Sequence, residues 1–137
     1  MIGGKAALIS ALLGLMYLAS TAMPAVAAGD SARGERVFQR CFACHSVDPN
    51  ETAKLQGPSL YRIMGRPAGI VPGFEYSDAM RRQGGAGLVW EAVTLDRYIA
   101  DPDGLVPGTA MSAPPLRDEQ ERADLVAYLA RTGLYRP

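Results

Sequence analysis

A chain of 137 residues with 14 Lys and Arg against 14 Asp and Glu is formally uncharged, which excludes the basic footprint of a nucleic-acid-binding protein. Two cysteines and one histidine are too few for the four-ligand structural zinc sites built from these residues. The length suits one domain behind a leader.

The first predicted element is an export segment. Lys5 is followed by no charge until Asp30, with an apolar run from Ala6 to Leu18 and the small-residue stretch Pro24-Ala25-Val26-Ala27-Ala28. Residues 1–28 read as a secretory signal peptide with an Ala-x-Ala-like cleavage site, lacking the paired arginines of the twin-arginine route. The competing reading is a retained anchor, because the uncharged span from Ala6 to Gly29 has 24 residues, enough to cross a bilayer. Cleavage leaves residues 29–137 as one domain with 13 Lys and Arg against 14 Asp and Glu. That domain is periplasmic, or membrane-anchored if the signal is retained.

A first helix is predicted from Asp30 or Ser31, with Val37, Phe38, Cys41, Cys44 and His45 at helical spacing. Gly34 lies one turn before Phe38. Glycine inside a helix costs about 1 kcal/mol against alanine, so it marks either close approach by another backbone or a tolerated surface position. At the end of this helix, Cys41-Phe42-Ala43-Cys44-His45 holds both cysteines and the only histidine in five consecutive residues. This is a c-type haem attachment sequence. Two thiols at this spacing can add to the two haem vinyl groups while the adjacent imidazole reaches the iron. A thioredoxin-like dithiol expects a βαβ context, and the chain shows no strand alternation; zinc would need a fourth ligand. The cofactor is therefore expected to be one haem c, covalently attached through Cys41 and Cys44. A domain of this size buries only a modest core, so its fold is expected to depend on the haem.

Shorter turns are predicted at Ser59 to Met64 and after Ser77, between Gly- and Pro-rich loops at 65–73 and 84–87 that must wrap the cofactor. A further helix with Leu95, Tyr98 and Ile99 on one face stops at Asp101-Pro102. With His45 the sole histidine, the second axial position falls to methionine, water or nothing. Met64, Met80 and Met111 remain after export. Met64 and Met80 read as gap-filling core. Met111 ends Pro107-Gly108-Thr109-Ala110-Met111, where proline and glycine stiffen the loop and favour a ligand role. The last helix opens with Asp118 and Glu121 at capping-box spacing, presents Leu125, Tyr128 and Leu129, and closes at Arg131 before Gly133.

In this order the residues resemble the class I cytochromes c, small soluble bacterial and mitochondrial electron carriers. The resemblance covers residues 30–137. It rests on the haem motif, Gly57-Pro58-Ser59-Leu60, Gly65-Arg66, Phe74-Glu75-Tyr76-Ser77-Asp78-Ala79, Trp90, Tyr98, Pro107 to Met111, and Leu125 with Tyr128. The four-helix cytochromes c′ carry the motif near the C-terminus instead. The resemblance implies an all-α cytochrome c fold, with three main helices plus short helices and long loops wrapped around one covalently bound haem. It also implies His45 as proximal ligand, its other ring nitrogen donating to the carbonyl of Pro58, and Met111 as distal ligand with the Tyr98 hydroxyl near its sulfur. Trp90, Tyr76, Arg66 and Thr109 resemble the groups around the buried propionates, which need such partners. Gly34, Phe38, Leu125 and Tyr128 would form the crossing of the first and last helices.

The implied function is a monohaem one-electron carrier, not an enzyme. It would work as a monomer between periplasmic or membrane-bound donors and acceptors, with no nucleic acid and no small-molecule substrate. Two alternatives remain open: a five-coordinate haem enzyme or gas sensor, and a fixed electron-transfer subunit of a periplasmic dehydrogenase or oxidase complex. The chain departs from the mitochondrial pattern in its surface charge. Lys54 is the only lysine after Lys5, Ala110 occupies one position of the lysine ring, and Arg36, Arg40 and Arg117 are left as a smaller basic rim beside Asp103 and Asp118. Met80 stands where mitochondrial members have asparagine. The stretch from Met80 to Val89 is longer than in the shortest members, its Gly-rich middle reading as a mobile loop or a partner contact.

Overall fold

The computed structural model describes residues 28–137. The expected signal peptide, apart from Ala28, lies outside the described residues. The described chain is helical, with one very small sheet. No helix among the described residues is long and apolar enough to cross a membrane.

Helix α1 runs Ser31–Phe38, and the Asp30 side chain caps it by accepting from Arg33 N at 2.8 Å. Helix α5 runs Glu119–Ala130. Its cap Asp118 accepts from Glu121 N at 2.8 Å, but the reciprocal half of the expected capping box is not made. The Glu121 carboxylate instead takes two bonds from the Arg40 guanidinium, at 2.8 and 2.9 Å. The two helices cross closely because Gly34 has no side chain: a Cβ there would stand 1.9 Å from Asp124 O. Beside that contact the Phe38 and Tyr128 rings lie 5.4 Å apart. Gly34 thus marks a backbone approach, and the tolerated-surface reading is set aside.

The crossing also carries a polar knot that periodicity did not announce. Asp124 is 3% exposed and accepts from Arg33 Nε at 2.6 Å, Arg33 Nη2 at 2.9 Å, Asp30 N at 2.7 Å and Gln120 Nε2 at 2.9 Å. Leu125 and Leu129, each 2% exposed, turn inward from the same helix.

Between these helices, β1 (Arg66–Pro67) pairs antiparallel with β2 (Val89–Trp90), with Arg66 opposite Trp90. Strands of two residues show no alternation, so no periodicity could reveal them. Helix α2 (Asp78–Gly85) is capped by Ser77, whose hydroxyl accepts from Met80 N at 3.2 Å. The stretch from Met80 to Val89, whose Gly-rich middle reads as a loop or partner contact, is therefore helical through Gly85 and enters β2 at Val89. Helix α3 (Ala92–Ala100) stops before Asp101-Pro102 as expected. The same dipeptide then starts the short α4 (Pro102–Leu105), with Asp101 accepting from Gly104 N at 3.1 Å and Pro102 at its first position, where a missing N–H costs nothing.

Candidate haem site

Helix α1 ends at Phe38, three residues short of Cys41, so the attachment sequence sits in tight turns after the helix rather than in its last turn. Cys41 N and Phe42 N donate to Phe38 O at 2.7 and 3.1 Å, and Cys44 N and His45 N donate to Cys41 O at 3.0 and 2.9 Å. This winding brings both thiols and the imidazole to the wall of one cavity of about 440 Å³.

His45 donates from Nδ1 to Pro58 O at 2.7 Å, which fixes the ring and leaves Nε2 as the nitrogen that could bind a metal. Burial pushes the imidazole pKa below its ordinary value, opposed by the Pro58 bond. The neutral ring is the form that binds metal.

Met111 reaches the same cavity from a loop held at several points. Gly108 has φ 80°, Gly108 N donates to Asp103 Oδ1 at 2.8 Å, and Thr109 N donates to Val106 O at 2.9 Å. The Tyr98 and Thr109 hydroxyls are hydrogen-bonded at 2.6 Å, and Met111 N donates to Thr109 Oγ1 at 3.3 Å. Tyr98 therefore engages the Met111 loop through Thr109, tying the loop to α3.

Arg66 is 7% exposed and donates to Ser59 O at 2.7 Å and Tyr61 O at 3.1 Å. Among the described residues it has no carboxylate partner. Burial lowers its pKa, so the guanidinium is a desolvated cation short of a counter-charge. Tyr76 accepts from Val71 N at 3.3 Å, and Trp90, opposite Arg66 in the ladder, packs on Tyr98 at 5.1 Å.

All ten expected site residues, Cys41, Cys44, His45, Pro58, Arg66, Tyr76, Trp90, Tyr98, Thr109 and Met111, line this one cavity. The structure adds Met80, which is 8% exposed and also faces it. Met80 is gap-filling as expected, but the gap it fills is the wall of the site. The Cys44 thiol also meets Gln56 Oε1 at 3.6 Å, a contact with no signal in the sequence. These residues fit a haem. Leu95, Ile99, Leu125 and Leu129 give an apolar wall for the macrocycle, the two thiols and the imidazole match its attachment chemistry, and Arg66 offers a buried cation to an acid group.

Comparisons with known proteins agree. The cytochrome c family profile matches residues 31–133. The cytochrome c2 of Rhodomicrobium vannielii is 45% identical over 106 residues, covering 77% of this chain and 82% of that protein. The cytochrome c2 of Blastochloris viridis is 42% identical over 118 residues, covering 86% and 89%. Among solved structures, cytochrome c2 from Rhodospirillum centenum has a TM-score of 0.71 at 38% identity, covering 76% of this chain and 98% of that one. The chain belongs to the cytochrome c family. It is a monohaem c-type cytochrome with one covalently attached haem c, and it acts as an electron carrier exchanging electrons with redox partners, not as an enzyme.

Proposed function

We propose that His45 and Met111 are the two axial ligands, in an exported domain of residues 29–137 that shuttles single electrons between periplasmic or membrane-bound proteins. When bound, the haem supplies a reversible one-electron couple, and thioether ligation with burial raises its potential. The supporting observation is the pairing of two fixed groups on one cavity: an imidazole whose Nδ1 is committed to Pro58, and a thioether on a loop anchored through Thr109 and Tyr98. Ligands held by such bonds keep their positions in both oxidation states, which favours electron exchange over substrate binding.

Partner choice does not rest on a lysine ring. Arg40, one of the three expected rim cations, is committed to Glu121, which leaves little positive charge for docking on an acidic surface.

The test is the visible spectrum of the holoprotein, oxidised and reduced, for the parent and Met111→Ala. The expected parent spectrum is low-spin c-type with a weak far-red iron–sulfur band, and the variant loses that band. A high-spin parent, or a variant indistinguishable from it, removes Met111 as ligand and brings forward a five-coordinate enzyme or sensor.

A further inference from the structure

A second cleft, of about 320 Å³, shares one residue with the haem cavity. That residue is Arg66. Around it the cleft gathers Arg62, Arg136, Tyr61 and Tyr135, with Ile70, Val71 and Pro72 forming an apolar wall. Three arginines thus line a single small concavity, and among the described residues none of them pairs with a carboxylate. Elsewhere in the domain Arg33, Arg40, Arg81 and Arg122 have acidic partners; Arg36, Arg82, Arg97, Arg117 and Arg131 do not, but none of those five lines this cleft.

The backbone at this place is also held in an uncommon form. Arg62 has φ 52°, the one non-glycine residue with positive φ among the described residues. Its N–H donates to Thr132 Oγ1 at 2.9 Å, and its guanidinium lies over the Tyr61 ring at 5.2 Å from the centroid. A left-handed conformation costs free energy at a residue with a side chain and persists when the surroundings enforce it. Here the surroundings hold Arg62 at the cleft. Like charges brought together without a counter-ion repel, and planar guanidinium groups match the geometry of phosphate and carboxylate oxygens. Arg62 and Arg136, with Arg66 shared with the haem cavity behind them, favour the more highly charged of these ligands.

We propose that this cleft binds a free phosphate-bearing anion, and that the bound anion lowers the potential of the haem through Arg66, which faces both spaces. The second half rests on the haem site proposed above. Negative charge beside Arg66 weakens the positive field that this residue directs at the haem cavity and so favours the oxidised state.

The probe is inorganic pyrophosphate, titrated into oxidised holoprotein by calorimetry at constant ionic strength, with the potential recorded over the same range. The parent is expected to bind one equivalent saturably. Affinity is expected to fall at least about tenfold in Arg62→Gln/Arg136→Gln, which removes two charge-assisted donors, and to be unchanged in Arg36→Gln. Arg136→Gln alone serves if the double variant lacks the parent's visible spectrum. The parent's potential is expected to fall and level off at the concentration where binding saturates. Absence of saturable binding, or equal affinity in parent and variants, overturns the site. Saturable binding with an unmoved potential overturns the coupling through Arg66. Binding to phosphatidylglycerol vesicles with no heat from pyrophosphate overturns a free ligand in favour of a lipid headgroup. The calorimetric signal does not depend on which residue is the distal ligand, so failure here and failure of Met111 as ligand are separately visible.

Discussion

Gly57 backs the His45 imidazole so closely that a Cβ there would stand 2.3 Å from Cε1 and 2.6 Å from both ring nitrogens. No side chain fits there while the ring keeps its Nδ1 bond to Pro58 O. Gly57→Ala is therefore expected to tilt the imidazole and break the Nδ1 bond. Overpacking of this kind costs about 1–3 kcal/mol, and the low-spin fraction of the visible spectrum should fall with it. A variant with the parent's melting temperature and spectrum would show that the ring has room to move. Thr109 works on the same principle at the Met111 loop, since one hydroxyl meets both Tyr98 and the Met111 N–H. The site is thus built from groups whose freedom has been removed by single, identifiable contacts.

At the scale of elements, the crossing of α1 and α5 combines a steric and an electrostatic device. Gly34→Ala would drive a methyl group into the α5 backbone at Asp124 O, where neither helix can yield without losing the Phe38–Tyr128 contact. The expected loss is about 3 kcal/mol or more, at or beyond the upper end of ordinary overpacking, readable by chemical denaturation of the holoprotein. A loss under about 1 kcal/mol would mean that the crossing slides freely. Asp124 acts through charge. Its hydrogen bonds from Arg33 hold the carboxyl well below the usual carboxylate range. A folded-state pKa lower than the unfolded one gives stability that is present above the unfolded value, about 4, and is lost as pH falls through the folded value. Asp124→Asn should accordingly be less stable than the parent at neutral pH, with the difference closing as pH drops below about 4. A difference that stays constant with pH would assign the effect to shape rather than charge.

For the whole molecule, the haem cavity takes up space that a domain of this size needs for its core. The apolar residues Phe38, Leu95, Leu125 and Leu129 are both the core and the cavity wall, so the side chains that join the helices are also the ones that would meet the cofactor. Cys41→Ser/Cys44→Ser, produced without covalent haem, is expected to lose most of its far-UV helical signal and its cooperative thermal transition. A cooperative transition like that of the parent would show that the polypeptide folds without it. Helix formation in such short segments depends on tertiary packing rather than on propensity, and α1, α2 and α3 have only eight or nine residues each.

What the sequence determined by itself is local. The attachment motif is contiguous, and the stop at Asp101-Pro102, the cap at Asp118 and the stiff loop before Met111 are carried by neighbouring residues, so all could be read directly. The family pattern extended that reading to the residues around the cofactor. Tertiary structure alone decided what depends on partners distant in the chain. Arg66 meets Trp90 through a ladder too short to have a period. Asp124, on a helix read for its apolar face, becomes the buried acceptor for α1. Glu121 leaves its capping box for Arg40. The three unpaired arginines of the second cleft come from positions 62, 66 and 136. Such pairings depend on where the chain returns in space, which no local spacing encodes.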